Sequence, residues 1–185
     1  MEIGIATELI AMARHDLQVR EALLKEGTLS PGYNPAMEHV HKTNAKRLAE
    51  IIDLIGYPTK SKVGEEASEA AWLIVQHAIG EPYLMKRSYM LLSEAGEDVN
   101  PQNLAYLHDR ICYFEGRPQK FGTQFDGRGF YPVQDKEEMI RMRKELKLTA
   151  HDENLIVECK NSKNQKDLHP DSKEFNRWRK KVGWI

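Results

Sequence analysis

Apolar residues recur every three or four positions through most of the first 115 residues. This spacing constrains the fold more than any other feature, because it is the pattern of amphipathic helices that pack against one another. Glycine and proline interrupt the pattern at intervals and mark where one helix ends and the next begins. The predicted helices cover about residues 3–25, 36–55, 65–79, 82–95 and 101–116.

The pattern changes beyond this point. Two short aromatic runs, 121–125 and 129–133, flank Asp126-Gly127, a dipeptide typical of hairpin turns. Asp135 followed by Glu138 then predicts a capped helix start. The sequence therefore predicts a mainly α fold, a bundle of about five to seven helices with one short β-hairpin near residues 121–133.

The composition excludes several classes of protein. The chain is 41% hydrophobic and 30% charged with a net charge of −1, which indicates a globular protein and argues against a nucleic-acid partner. Its longest apolar stretch, 70–79, is shorter than the roughly 20 residues that span a bilayer, so we expect no membrane partner. The start of the chain lacks a signal-peptide pattern, and two isolated cysteines predict free thiols. We expect a cytoplasmic protein.

The last residues differ from the rest. From residue 160 onward there are eight Lys and Arg against three Asp and Glu, with few aliphatic side chains. We predict a helical domain over 1–159 that carries a polar pocket, followed by a basic tail over 160–185. Phe175, Trp178 and Trp184 could anchor a short helix of this tail onto the domain or onto a second subunit, so a homodimer stays open.

Polar residues interrupt the apolar faces of the first two predicted helices. Asp16 lies in the middle of an apolar stripe, with Arg20 one turn further on and within reach of its carboxylate. His41 and Asn44 occupy the beginning of a stripe on the second helix. A structural ion pair at Asp16 and a buried amide bonded to backbone at Asn44 are the simpler interpretations.

The third predicted helix is apolar almost all round, which indicates central burial, and yet it contains Gln76 and His77. A single buried histidine is usually structural. Two adjacent polar side chains pointing about 100° apart are harder to explain in this way, so we favour a functional role for His77.

The fifth predicted helix and the segment after it add further candidates. Arg110 is the strongest anion-binding residue, because its planar guanidinium can grip a carboxylate or phosphate with two hydrogen bonds. Asp109 lies beside small residues and should be enclosed. An interhelical salt bridge from Asp109 or Arg110 to Asp16 or Arg20 is the alternative role of these two residues. The remaining candidates for hydrogen bonding to a ligand are Tyr106, Gln119 and Gln124, and the glutamines equally suit fixing a loop.

Taken in order, several of these motifs resemble one signature, that of an uncharacterised bacterial domain family of unknown function. The resemblance covers about residues 8 to 148 and implies a shared site without naming a reaction. The family usually has Trp at Tyr57, Tyr at Phe121 and an acidic residue at Ile79, and the last change removes a potential partner of His77. The motifs are Asp16-x-x-x-Arg20, Asn44-x-x-x-Leu48, Gly56-Tyr57-Pro58, Ala71-Trp72-Leu73-x-x-Gln76-His77-Ala78, Ala105-Tyr106-Leu107-x-Asp109-Arg110 and Gly116-x-Pro118-Gln119-x-Phe121-Gly122-Thr123-Gln124.

From these residues we predict a small enzyme of hydrolase or lyase type that acts on a small polar or anionic molecule. His77 would be the general acid or base, oriented by Asp16 or Asp109. Arg110, Gln76, Gln119, Gln124, Arg20, Asn44 and Tyr106 would bind the ligand. The alternative is a non-catalytic ligand-sensing or partner-binding module of the antitoxin or immunity type, whose polar residues form a structural buried network.

Nothing in the spacing of residues matches a phosphate loop, a nucleophile elbow or a strong metal-binding motif, and we expect no cofactor. A metal site built from His41, His77 and carboxylates stays open as a further alternative, since such ligands assemble readily between helices.

Overall fold

The computed structural model of the chain describes residues 2–29, 33–127, 129–159, 168–169 and 173–185. Within these residues the protein is mainly helical with one small antiparallel hairpin, which confirms the predicted fold class. Two 3-10 turns, Gly96–Asp98 and Glu153–Leu155, accompany the longer elements. The α-helices are α1 (Ile3–Lys25), α2 (Pro35–Ile55), α3 (Lys60–Val63), α4 (Glu65–His77), α5 (Pro82–Ala95), α6 (Pro101–Glu115), α7 (Lys136–Glu145) and α8 (Lys173–Val182).

The chain divides into two compact units, residues 1–100 and 101–185. The first unit contains α1 to α5, and in it α1 packs against α2 and α4, which also pack against each other. Its core is aliphatic and lies between these three helices. The side chains buried there include Leu9, Leu48, Ile51, Ala71, Ile74 and Val75.

Local sequence explains where α2 begins and ends. The side chain of Asn34 accepts hydrogen bonds from the backbone N–H groups of Ala36 and Met37, and Pro35 occupies the first helical position. Gly56 stops the helix with a φ of +72°, a conformation that side chains other than glycine rarely adopt. The capping and stop signals in the sequence therefore determine the boundaries of α2.

The second unit contains α6, the hairpin, α7 and α8, around a core that includes Leu107, Tyr131 and Met139. The hairpin strands are β1 (Phe125–Asp126) and β2 (Gly129–Phe130), which pair Phe125 with Phe130 and Asp126 with Gly129. They are shorter than the predicted strands for a physical reason. The backbone N–H groups of residues 120, 121 and 123 bond to a side chain of α6 and so do not pair with an opposite strand.

The predicted tail is partly described, and residues 160–167 and 170–172 lie outside the described residues. Its helix α8 carries Arg179, which is fully buried and donates to the Phe114 carbonyl oxygen at the end of α6. Trp184 is 4% exposed and stacks on the Phe114 ring. These described tail residues belong to the second unit, whose boundary at residue 100 we did not predict. A boundary at residue 159 stays a prediction.

The end of α4 differs from the prediction. We predicted that the third helix would reach Ile79, but α4 ends at His77, because Ala78 leaves the helical conformation with a ψ of 42°. His77 is thus the last residue of a helix rather than an interior one.

Within the described residues, no helix is long and apolar enough to cross a membrane.

Candidate functional site

Three ionisable side chains from three helices meet inside the first unit. They are Asp16 of α1, His41 of α2 and His77 of α4, and we call them the Asp-His-His cluster. Asp16 is only 1% exposed, so its carboxylate lies in the core where the three helices pack together. A buried carboxylate is costly unless its surroundings stabilise the charge, and in this cluster two imidazoles face it.

The two histidines face different oxygens of the carboxylate. His77 Nδ1 lies 2.9 Å from Asp16 Oδ1 and forms a hydrogen bond with it. His41 Nε2 lies 3.3 Å from Asp16 Oδ2, but this contact does not have the geometry of a hydrogen bond. The centroids of the two imidazole rings are 5.1 Å apart. Asp16 therefore bridges the histidines, bonded to one and merely close to the other.

The cluster keeps Asp16 ionised. Burial raises the pKa of its carboxyl, but the contacts with His41 and His77 outweigh burial and hold the pKa below its usual range. Since an ionised carboxylate can only accept hydrogen bonds, Nδ1–H of His77 is the donor in the 2.9 Å contact. In the neutral form of His77 the lone pair is then on Nε2, the other ring nitrogen.

Tyr33 extends the cluster on the far side of His41. Its hydroxyl oxygen lies 2.7 Å from His41 Nδ1, and the two rings stack with centroids 5.6 Å apart. Burial raises the pKa of the Tyr33 phenol above its usual range, so the hydroxyl stays neutral. Tyr33 thus bonds the nitrogen of His41 that points away from Asp16.

The three members of the cluster differ in their access to solvent. The side chain of His77 is 22% exposed and that of His41 is 11% exposed, whereas Asp16 is closed off. His77 is therefore the member of the cluster that a small molecule reaches most easily.

Comparison with known proteins assigns the chain to a family. The family model described as "Family of unknown function (DUF6624)" matches residues 4–159. The chain belongs to this family. No curated protein and no solved structure matches the chain. The match confirms the resemblance to an uncharacterised domain family, and the DUF6624 range includes every member of the Asp-His-His cluster.

Within the DUF6624 match, Ile79 stands where the family resemblance leads us to expect an acidic residue. That substitution does not leave His77 without a carboxylate, because Asp16 of α1 bonds it directly. Arg20, which we expected to reach Asp16, is exposed, and among the described residues no ion pair joins the two. The partners of Asp16 come from other helices and not from its own.

Asn44 and Gln76 are close in sequence to the histidines of the cluster, and both side chains are buried. Asn44 donates to the Met12 carbonyl oxygen at 3.4 Å, which ties α2 to α1 and is the structural role that the sequence left open. The ligand-binding roles that we assigned to Asn44, Gln76 and Arg20 stay predictions.

In the second unit, Asp109 is fully buried and holds a loop. Its carboxylate oxygens accept hydrogen bonds from the backbone N–H groups of Lys120, Phe121 and Thr123, and from the Thr123 hydroxyl. His108 Nδ1 lies 3.0 Å from the same carboxylate. This arrangement gives Asp109 a structural role inside its own unit, and its predicted role in orienting His77 stays a prediction.

Gln119 is also fully buried and fixes the same loop. Its amide group donates to the carbonyl oxygens of Gln124 and Tyr131, and its side-chain oxygen accepts from the Gln124 N–H. In these contacts Gln119 fixes the loop, which is one of the two roles that we considered for it. Arg110 and Tyr106 lie on α6, where Tyr106 is 37% exposed. Ligand binding by Arg110, Tyr106, Gln119 and Gln124 stays a prediction.

Sequence reasoning missed one member of the site. His41 was noted on the apolar stripe of its helix and in the metal alternative, although not among the predicted site residues, whereas Tyr33 was not considered at all. Tyr33 immediately precedes the Asn34 cap of α2, so a tyrosine next to a helix cap and eight residues before a core-facing histidine was the available signal.

Proposed function

We propose that this member of the DUF6624 family is a small acid–base enzyme of hydrolase or lyase type, with the Asp16–His77 pair as its reaction centre. Its substrate class is a small polar or anionic molecule. The observation that carries the proposal is the 2.9 Å hydrogen bond between Asp16 Oδ1 and His77 Nδ1.

The chemistry follows from this hydrogen bond. A carboxylate that accepts from Nδ1–H fixes one tautomer of the imidazole and leaves Nε2 free to take a proton from a substrate. When His77 takes that proton it becomes cationic, and the buried negative charge of Asp16 stabilises the cation. The low dielectric of the core makes this stabilisation larger than it would be in water. Asp16 positions His77 and supports its charged form without itself gaining a proton.

The position of His77 suits this role. It is the last residue of α4 and partly exposed, so Nε2 can meet a substrate while Nδ1 stays bonded inside the core.

A second candidate function is a non-catalytic ligand-sensing or partner-binding module. The contacts of Asp109 and Gln119 favour it, because both side chains are satisfied within their own unit and look like a network that specifies a fold.

The test is a screen for turnover and binding with a panel of small polar and anionic metabolites, using wild type, His77→Gln and Asp16→Asn. We expect turnover by the wild type to fall about 100-fold or more in His77→Gln, the usual contribution of a general acid or base. His39→Gln is the matched control, since His39 is an exposed histidine of the same unit. Binding without turnover, equal in wild type and His77→Gln, would favour the second candidate.

A further inference from the structure

The Asp16–His77 pair leaves part of the cluster unexplained. Asp16 Oδ2 and His41 Nε2 are both buried, and within the described part of the chain neither has a hydrogen-bond partner. They nevertheless lie only 3.3 Å apart. A buried polar atom without a hydrogen-bond partner destabilises the fold, so two such atoms facing each other indicate a partner between or beside them.

The positions of the possible ligand atoms indicate what this partner is. Asp16, His41 and His77 each offer one ligand atom, and the three atoms lie within 4.8 Å of one another. Zinc binds histidine nitrogen and carboxylate oxygen at roughly 2.0 to 2.2 Å, which places two ligands of a tetrahedral ion roughly 3.4 Å apart. The 3.3 Å separation of Asp16 Oδ2 and His41 Nε2 is close to this value.

We propose that Asp16, His41 and His77 bind one divalent transition-metal ion of the zinc type and leave a coordination position open. Two imidazoles and one carboxylate suit zinc and its neighbours, whereas magnesium and calcium prefer oxygen ligands throughout. The negative charge of Asp16 also compensates part of the charge of the ion inside the core. Three protein ligands are the number typical of sites that keep a position for water or substrate.

Tyr33 supports the same assignment. A metal-binding histidine usually bonds its second ring nitrogen to a neighbouring oxygen, which fixes the tautomer that binds the ion. The neutral hydroxyl of Tyr33, 2.7 Å from His41 Nδ1, can accept the Nδ1–H hydrogen bond. The lone pair of His41 is then on Nε2, which faces Asp16.

This inference goes beyond the proposed function and changes how the site is used. If His77 binds the ion through Nε2, that nitrogen is no longer free to accept a proton. If it binds through Nδ1, the hydrogen bond to Asp16 is lost. Metal binding and acid–base action of His77 therefore exclude each other, so the proposed turnover belongs to the metal-free protein.

The experiment uses the untagged full-length chain, stripped with a chelator and dialysed against zinc in competition with a chromophoric chelator. We expect one zinc ion per chain, with affinity at least 100-fold weaker in His41→Gln and in Asp16→Asn. His39→Gln should bind as the wild type does. No zinc bound by the wild type, or equal binding by His41→Gln, overturns the proposal.

Cobalt provides a second measurement that needs no variant. Co²⁺ bound by the wild type in a tetrahedral site with nitrogen and oxygen ligands gives strong visible absorption, which zinc should abolish at one equivalent. A weak octahedral spectrum or no spectrum contradicts the proposed site. Turnover by zinc-free wild type tests the proposed function separately, because it requires no metal, and zinc binding is measured without any substrate.

Discussion

The two units each bury a carboxylate in their core, and the two carboxylates have different kinds of hydrogen-bond partner. Asp109 accepts hydrogen bonds from three backbone N–H groups and a hydroxyl, all within 14 residues along the chain, and His108 Nδ1 lies 3.0 Å from it. Asp16 contacts two histidines that lie 25 and 61 residues away, and one of its oxygens has no hydrogen bond among the described residues. Burial is the same, but the kind of partner differs.

On this difference we base the assignment of Asp109 to the fold and of Asp16 to the proposed site. Backbone donors cannot change their protonation, so the three N–H groups hold Asp109 in place whatever the protonation of its one histidine neighbour, His108. The histidines around Asp16 can gain or lose protons and can bind metals, and the unsatisfied oxygen leaves room for a further partner. Function is generally found where a structure tolerates such incompletely satisfied groups.

The same substitution at both carboxylates should therefore have unequal effects on stability. In Asp109→Asn the amide N–H₂ faces backbone N–H groups and the charge is lost, so we expect the free energy of unfolding to fall by about 3 to 5 kcal/mol. In Asp16→Asn the stabilised charge is lost, but the amide can still donate to His41 Nε2 and accept from His77, so the loss should be smaller, about 1 to 2 kcal/mol. Urea unfolding followed by circular dichroism measures both, and equal losses would contradict the comparison.

The sequence predicted the helices and the polar residues inside their apolar faces, because the residues on the buried face of a helix recur every three or four positions. Asp16 and His77 were found in this way. Periodicity does not say which residues meet, and so it suggested Arg20 as the partner of Asp16, where the structure has histidines. For the same reason it could not show that Asp109 bonds the loop that follows α6. Tyr33 comes from a loop, where no periodicity exists to be interrupted.

A substitution in the tail tests the two units separately. Trp184 is buried and stacks on Phe114 with centroids 5.1 Å apart, so Trp184→Ala should cost about 3 kcal/mol of stability in the second unit. Zinc binding by the Asp-His-His cluster should not change by more than about twofold, because no member of the cluster belongs to the second unit. Thermal unfolding and zinc competition measure the two effects. Loss of zinc binding by a folded Trp184→Ala protein would show that the units are not independent.

The smallest expected effect tests how firmly the loop around Asp109 is held. Gly122 lies in this loop, and its carbonyl oxygen accepts hydrogen bonds from Arg143 and His151. Its φ is +69°, and a Cβ atom there would lie 2.5 Å from Met139 Sδ and 3.0 Å from Phe130 Cζ. Relief of these contacts needs movement either of the loop or of Met139, which is buried.

Gly27 of the first unit is the matched control, because its φ is also +69° but, among the described residues beyond its chain neighbours, no atom lies within 4 Å of the position that a Cβ would take. Both Gly→Ala substitutions carry the conformational cost of about 1 kcal/mol, and only Gly122→Ala adds steric strain of about 1 to 3 kcal/mol. We expect the two variants to differ by this second amount in urea unfolding. Equal losses would mean that the loop moves freely enough to accept a methyl group. Asp109 could then not be holding the loop rigidly, and the contrast between the two carboxylates would weaken.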